Sequence, residues 1–162
     1  MNQTGPILVA LELADADRHL IEIATAHARA LSAKLYLIHV VAVADQEFVG
    51  MPKDMAAGTS ADDPEVGYAY DRAMEAERAR EQHADLGATR AMLDREGLEA
   101  TALQLAGVPG EKVVEEAKRL GAGLIVAGHR NRTVLGEMVF GSTSRDILRA
   151  APCPVLLVPM PA

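Results

Sequence analysis

Four short, nearly uninterrupted apolar runs recur along the chain, and they constrain its fold more than any other feature. They lie at Ile7–Leu11 and at residues 34–41, 121–128 and 154–159. A strand that is apolar at almost every position is covered on both faces, which is typical of a parallel sheet. Residues 99–105 instead alternate between polar and apolar side chains, which predicts a less buried strand at a sheet edge. We therefore expect five strands.

Segments with helical spacing separate these runs, at about residues 15–31, 64–96, 109–120 and 143–150. Asp15 and Asp17 are the predicted caps of the first helix. Strict alternation of strands and helices predicts a parallel sheet with helices on both faces. The predicted fold class is α/β: a Rossmann-like open five-stranded parallel sheet of order 3-2-1-4-5, formed by a single domain over residues 1–162. In that order a ligand crevice opens at the carboxyl ends of strands one and four.

Composition narrows the classes of function. A net charge of −7, with both signs mixed along the chain, argues against a nucleic-acid partner, because such proteins usually present a basic face. The chain has no apolar run long enough to span a membrane, and its first residues do not resemble a secretion signal, so a cytoplasmic location is expected. The single cysteine, Cys153, is expected to be structural. His27 is expected to pack or flank a helix, and His39 to be a hydrogen-bonded core histidine.

The segment from Gly128 to Ser144 joins the fourth predicted strand to the last helix. Gly128 ends the strand, and Gly141 precedes three hydroxyl residues at the helix start. Backbone N–H groups at a helix start lack partners within the helix, and the helix dipole adds positive potential there, so an anion fits this place. The spacing matches neither the Walker pattern nor Gly-x-Gly-x-x-Gly. From the residues alone, two readings stay open: a phosphate site, or an ordinary N-cap at Ser142 with a turn at Gly128.

Taken together, residues 7–10, 37–41, 128–144 and 152–159 resemble the universal stress protein family, and the resemblance extends over the whole chain. The family's most specific pattern is Gly, two residues, Gly, nine residues, Gly and Ser or Thr. Here it is found at Gly128, Asn131, Gly141 and Ser142. Members with this pattern bind ATP. The resemblance therefore implies an ATP-binding, stress-associated cytoplasmic protein, usually a homodimer paired through the last strand, here residues 154–159.

The resemblance also assigns roles by position. Ala10 and Glu12 would border the adenine and ribose, and Val40 would meet the adenine edge through its backbone. One group would wrap the ribose and phosphates: Gly128, His129 (without a ligand role of its own), Arg130, Asn131, Arg132 and Thr133. A second group would cradle the β- and γ-phosphates: Gly141, Ser142, Thr143 and Ser144. Any Mg²⁺ would be carried mainly by the phosphates.

The sequence departs from the family pattern at two places. Asn131 replaces a glycine, although asparagine tolerates left-handed backbone angles better than other residues. Glu12 and Leu13 replace the usual Asp and small residue after strand one. Independently of the family, Arg130 and Arg132 either add charge-assisted bonds to phosphate or are solvated loop charges.

The expected function is an ATP-binding regulatory or sensing module of a stress response, with ADP and AMP as alternative nucleotides. The alternative is a slow ATPase or a nucleotidyl-transferring enzyme on the same fold. No catalytic residue and no metal ligand is nominated. Residues 44–62, rich in Gly, Pro, Met, Asp and Ser, are predicted to form a long loop that covers the pocket or holds a protein partner.

Overall fold

The computed structural model describes residues 5–42, 64–130, 132–134, 137–139 and 141–160, and the side chains of all of these except 64–72, 132–134 and 137–139. The predicted loop 44–62 and the site residue Asn131 lie outside the described residues. That the chain forms a single domain from residue 1 to 162 stays a prediction.

The predicted strands and helices are found, with bounds that shift by a few residues. The strands are β1 (Ile7–Leu11), β2 (Leu35–Ala42), β3 (Ala100–Gly107), β4 (Leu124–Arg130), β5 (Arg132–Val134), β6 (Glu137–Val139) and β7 (Val155–Met160). The helices are α1 (Asp17–Leu31), α2 (Pro64–Arg95), α3 (Pro109–Leu120) and α4 (Ser142–Ala150). β4 begins later than predicted because Gly121, with a φ of 61°, caps the carboxyl end of α3.

Five strands form one parallel sheet in the order β3-β2-β1-β4-β7, which confirms the predicted fold. The short central strand β1 pairs with β2 on one side and β4 on the other, so that Ala10 lies beside both Ile38 and Ala127. The winding reverses between β1 and β4. The loops that leave these two strands therefore diverge to opposite faces, and a crevice opens above their carboxyl ends.

Two apolar cores cover the two faces of this sheet. On one face, α1 and α2 pack with side chains such as Leu20 and Leu93 against Val9. On the other face, α3 and α4 pack with Val113 and Ile147 against the sheet. Fully burying a side chain of this size contributes about 1.5–3 kcal/mol, so burial on both faces accounts for the nearly continuous apolar strands.

The antiparallel pair β5–β6 was not predicted. Arg132 lies opposite Val139, and Val134 lies opposite Glu137. The sequence analysis assigned no strand to residues 131–140, although Thr133-Val134 and Glu137-Met138-Val139 flank the two-residue spacer Leu135-Gly136. A two-residue spacer with glycine between β-prone pairs is a hairpin signal. Strands of three residues are too short for periodicity to reveal.

The predicted caps of α1 are wrong. The N-cap residue is Ala16, and it has no side-chain capping bond. The Asp17 carboxylate instead accepts the backbone N–H of Leu13 at 2.6 Å and that of Ala14 at 3.4 Å. The aspartate therefore organises the turn between β1 and α1 rather than the first turn of the helix.

Candidate functional site

A cavity of about 550 Å³ lies at the carboxyl edge of the sheet, between the ends of β1 and β4 and the starts of α3 and α4. We call it the edge cavity. Ten of the residues that the sequence nominated line it: Ala10, Glu12, Val40, Gly128, His129, Arg130, Gly141, Ser142, Thr143 and Ser144. Of the other three, Asn131 lies outside the described residues. Arg132 and Thr133 are described only as backbone of β5.

The start of α4 forms one wall of the edge cavity. Its N-cap is Gly141, with φ −61° and ψ 159°, and Ser142 is the first helical residue rather than the cap. Glycine has no side chain to bond the first N–H groups, and within the helix the first backbone bond runs from the Arg145 N–H to the Gly141 carbonyl at 3.1 Å. The N–H groups of the first turn are therefore available to an acceptor in the cavity. The Ser144 hydroxyl donates to the Gly128 carbonyl at 3.2 Å and ties this helix start to the end of β4.

The two glycines of the wall differ in what surrounds them. A Cβ placed on Gly141 would meet no atom of the described residues within 4 Å, and the φ of −61° is one that any residue adopts. Neither packing nor backbone conformation therefore requires glycine at position 141, and the missing side chain enlarges the cavity. At Gly128 a Cβ would lie 2.8 Å from Met160 Cγ and Sδ. The space above Gly128 is thus used by the Met160 side chain.

Two nominated side chains contact each other at the rim. The Arg130 guanidinium donates to the Glu12 carboxylate at 2.8 Å, across the ends of β4 and β1. The sequence assigned Glu12 to the adenine and ribose and Arg130 to phosphate. Both side chains are more than half exposed, 69% and 57%, so the pair is a weak rim contact that a charged ligand can exchange.

Sequence reasoning missed two buried polar residues of the edge cavity. His39 is a hydrogen-bonded core histidine, as predicted, because its Nδ1 donates to the Leu11 carbonyl at 2.9 Å. It also lines the cavity, and its Nε2 has no hydrogen-bond partner among the described residues. Its place directly before Val40, in the strand beside β1 and opposite the end of β1 at Leu11, was the available signal.

Asp17 is the second such residue. It is 6% exposed, and burial raises the pKa of its carboxyl above 3.8, while the N–H bonds from Leu13 and Ala14 act in the opposite direction. Leu13, held by the shorter of these bonds, has a φ of 60°. A leucine in the left-handed region is strained, so the aspartate stabilises an unusual turn beside the cavity.

The edge cavity contains groups that can donate hydrogen bonds to an anion. It offers helix-start N–H groups, hydroxyls and one rim guanidinium. Within the described ranges, no group of three or more His, Cys, Asp or Glu side chains is arranged to hold a metal ion. Cys153 does not line the cavity, and burial raises the pKa of its thiol, which disfavours the reactive thiolate. Of the helices in the described part, none is both long and apolar enough to cross a membrane.

Comparison with known proteins agrees with this architecture. Universal stress protein MJ0531 of Methanocaldococcus jannaschii is 31% identical over 147 residues, which cover 91% of this chain and 75% of that protein. Shorter alignments cover 59% of a universal stress protein from Synechocystis and 42% of one from Bacillus subtilis. This chain therefore matches less than two thirds of the length of those two relatives.

Solved structures share the fold. The structure of hypothetical protein MJ0577 superimposes with a TM-score of 0.71 at 17% identity, over 96% of each chain. The universal stress protein of Archaeoglobus fulgidus in complex with dAMP gives a TM-score of 0.59 at 21% identity, over 97% of this chain and 98% of that one. A universal stress protein in complex with cAMP gives 0.59 at 19% identity, over 96% and 98%. The sequence pattern of the universal stress protein family matches residues 4–159, and the chain belongs to that family.

Proposed function

We propose that this protein binds an adenine nucleotide, foremost ATP, in the edge cavity and acts as a regulatory or sensing module in a stress response. One observation carries the proposal: the start of α4 faces the cavity with a glycine N-cap that neither packing nor backbone angles require. A helix start of this kind attracts phosphate through N–H groups and the positive end of the dipole. The dAMP and cAMP complexes of two structural relatives support the choice of adenine nucleotides.

The proposed arrangement follows the walls of the cavity. Gly141 to Ser144 cradle the β- and γ-phosphates with N–H and hydroxyl donors. The stretch from Gly128 to Thr133 wraps the ribose and phosphates, and Arg130 leaves Glu12 to bond a phosphate. Ala10, Glu12 and the Val40 backbone border the adenine and ribose. At about 550 Å³, the cavity is within the usual range of small-molecule sites. Mg²⁺, if bound, is carried mainly by the phosphates.

The hydrogen bonds of the cavity give no support to a covalent mechanism through a side-chain nucleophile. Ser144, a hydroxyl in its wall, donates to a backbone carbonyl and not to a base. Among the described residues that line the cavity, no nucleophile is hydrogen-bonded to a general base. The nucleotide is therefore proposed to act by changing the shape of the protein or its choice of partner.

We also propose a homodimer, paired through β7. This strand lies at an edge of the sheet, next to β4 alone, and an uncovered strand edge invites pairing with a second copy. Pro159 lacks a backbone N–H and would limit the pairing to a short segment. Sedimentation that shows only monomer at tens of micromolar would contradict this part of the proposal. A cytoplasmic location stays a prediction.

The nucleotide proposal is tested by calorimetric titration of ATP into nucleotide-free protein. Wild-type protein is expected to give saturable heats, and Gly141→Arg to give none, because the new side chain fills the phosphate end of the cavity. The matched control is Gly87→Arg. Gly87 is exposed on α2 and also has no atom within 4 Å of a Cβ, but it lies away from the edge cavity.

Both arginine variants are expected to unfold at nearly the wild-type temperature. Flat heats for the wild type from micromolar to millimolar ATP would overturn the proposal. So would unchanged ATP binding by Gly141→Arg. Mass spectrometry of the denatured purified protein would identify any nucleotide that it retains.

A further inference from the structure

A second cavity, of about 680 Å³, lies on the opposite side of β1 from α3 and α4, between helices α1 and α2. We call it the α1–α2 groove. It shares only Leu11 and Asp17 with the edge cavity. Nothing in the proposed nucleotide function uses its other walls, so it needs an explanation of its own.

The floor of the groove is apolar. Leu11 and Leu93 are buried there, and Ile21 borders them. On α2, Met92 lines the groove and is 42% exposed, so its side chain is accessible to a ligand. An unbranched, flexible methionine adapts to ligands of different shape. The floor therefore suits an organic molecule with an apolar body.

The wall on α1 contains a buried hydroxyl without a partner. Thr25 is 8% exposed, and its Oγ1 has no hydrogen-bond partner in the described part of the structure. Buried polar groups nearly always have a partner, so an exception calls for an explanation. The Thr25 oxygen itself is enclosed, so the proposal does not depend on this hydroxyl.

The rim of the groove is acidic. Of its exposed charged residues, four are carboxylates and two are guanidiniums: Asp15, Glu22, Asp85 and Glu96 against Arg18 and Arg29. Arg29 already pairs with Glu96 at 3.3 Å. Within the described residues, no ion pair is formed by Asp15, Glu22 or Asp85. The uncompensated charge is negative, so a cation is the complementary ligand.

We propose that the α1–α2 groove is a second small-molecule site, which binds an organic cation with an apolar body, such as a protonated amine on a hydrocarbon. The apolar body lies on Leu11, Ile21, Leu93 and Met92, and the cation faces the rim carboxylates. A metal ion does not fit as well, because the described carboxylates are not grouped in threes for coordination. The proposal is independent of nucleotide binding in the edge cavity.

The test uses three probes of the same chain length, n-octylammonium, octanoate and 1-octanol, titrated into the full chain at pH 7 with saturation-transfer NMR and calorimetry. We expect saturable binding of octylammonium, and binding of octanoate that is at least about tenfold weaker. Equal affinity for the three probes would show apolar contact alone and would overturn the cationic assignment. Absence of saturable octylammonium binding would overturn the site.

Variants locate the site. Glu22→Gln combined with Asp85→Asn removes two exposed carboxylates and is expected to weaken octylammonium about tenfold. Two further substitutions are each expected to weaken octylammonium binding by less than this: Met92→Gln, and Thr25→Val, which keeps the shape of the side chain. The matched control is Glu111→Gln together with Glu115→Gln, two carboxylates on α3 outside the groove.

The control pair is expected to leave the affinity unchanged. A loss as large as that of the Glu22 and Asp85 pair would show attraction by overall charge, and would overturn the proposal. Thermal unfolding of each variant separates a loss of binding from a loss of folding. If spermidine binds more tightly than octylammonium, the part of the proposal that requires an apolar body on the ligand is wrong.

Discussion

The edge cavity and the α1–α2 groove lie on either side of the turn that follows β1, but one is lined mainly by backbone groups and the other mainly by side chains. The edge cavity uses backbone, with the start of α4, the ends of two strands and a glycine that leaves space. The groove uses side chains, with an apolar floor and a rim of carboxylates. Glu12 belongs to the first cavity and Leu13 to the second.

This difference shows two sources of a binding site. The edge cavity exists because the winding of the sheet reverses between β1 and β4, so any sequence that folds in this order opens a crevice there. The groove depends on which side chains α1 and α2 present to each other. Substitutions in the groove floor should therefore affect folding, whereas substitutions at the start of α4 should affect binding.

The largest expected effect is in the groove floor. Leu93→Ala should lower the free energy of unfolding by about 2–5 kcal/mol, because Leu93 is 1% exposed and its removal leaves a void in the core. Gly141→Ala should change that free energy by less than about 0.5 kcal/mol, because its Cβ meets no neighbour. Urea denaturation measures both. If the two variants lost similar amounts of unfolding free energy, the conclusion that the groove floor contributes to folding and the start of α4 does not would be wrong.

A smaller effect is expected where the edge cavity does contain packed side chains. Gly128→Ala should lower stability by about 1–3 kcal/mol, because the new methyl group would overlap Met160. Met160→Ala in the same chain should remove most of this loss, so the two substitutions should not be additive. Additive losses would show that the Met160 side chain is not what requires glycine at position 128.

Asp17 borders both cavities and should make stability depend on pH. Burial raises the pKa of its carboxyl in the folded protein above the ordinary value of 3.8, so the folded state binds the proton more tightly. The stability gained from the bound proton is therefore fully present below pH 3.8 and is lost as pH rises through the folded-state pKa of Asp17. Asp17→Asn keeps an oxygen for the Leu13 N–H and removes the titration.

Urea denaturation from pH 3 to pH 7 checks this expectation. Relative to the wild type, Asp17→Asn should become more stable as pH rises across the window above 3.8. A stability difference that does not change with pH would contradict the raised pKa. Asp15→Asn is the neighbouring control, because Asp15 is exposed and borders only the groove.

The smallest effect is expected for the rim pair. A double-mutant cycle of Glu12→Gln and Arg130→Gln should give a coupling of about 0.2–1 kcal/mol, because both side chains are mostly exposed. The coupling should decrease with added salt. Arg90 and Asp94, an exposed pair at 3.1 Å on α2, serve as the reference. A coupling well above this range would mean that the rim contact holds the edge cavity closed.

The outcome for individual elements shows why some were predictable. β1 and α3 were predicted with the bounds that the structure has, because an apolar run and an amphipathic segment are local patterns. The start of α1 was predicted wrongly, because the Asp17 carboxylate accepts the Leu13 N–H in the preceding turn instead of capping the helix. The β5–β6 hairpin was missed because three-residue strands carry almost no periodicity.

The candidate site was likewise predictable only where local sequence patterns carry the information. Glycine spacing and the family pattern nominated residues 128–133 and 141–144, and the fold brings residues 128–130 and 141–144 together around one cavity. Asp17 escaped because nothing next to it in sequence shows that it lines a cavity, and the place of His39 next to the nominated Val40 was a signal that the sequence reasoning did not use. The rim contact of Glu12 with Arg130 joins positions 118 residues apart, which no local pattern can reveal.

The sequence by itself determined the class of fold, the strand and helix alternation and the place of the glycine-containing stretch proposed to bind an anion, because these follow from local patterns of polarity and backbone propensity. Only the tertiary structure decided which glycine leaves space, which carboxylate is buried and where a second cavity opens. Those properties depend on distances between residues far apart in the chain, and packing sets such distances.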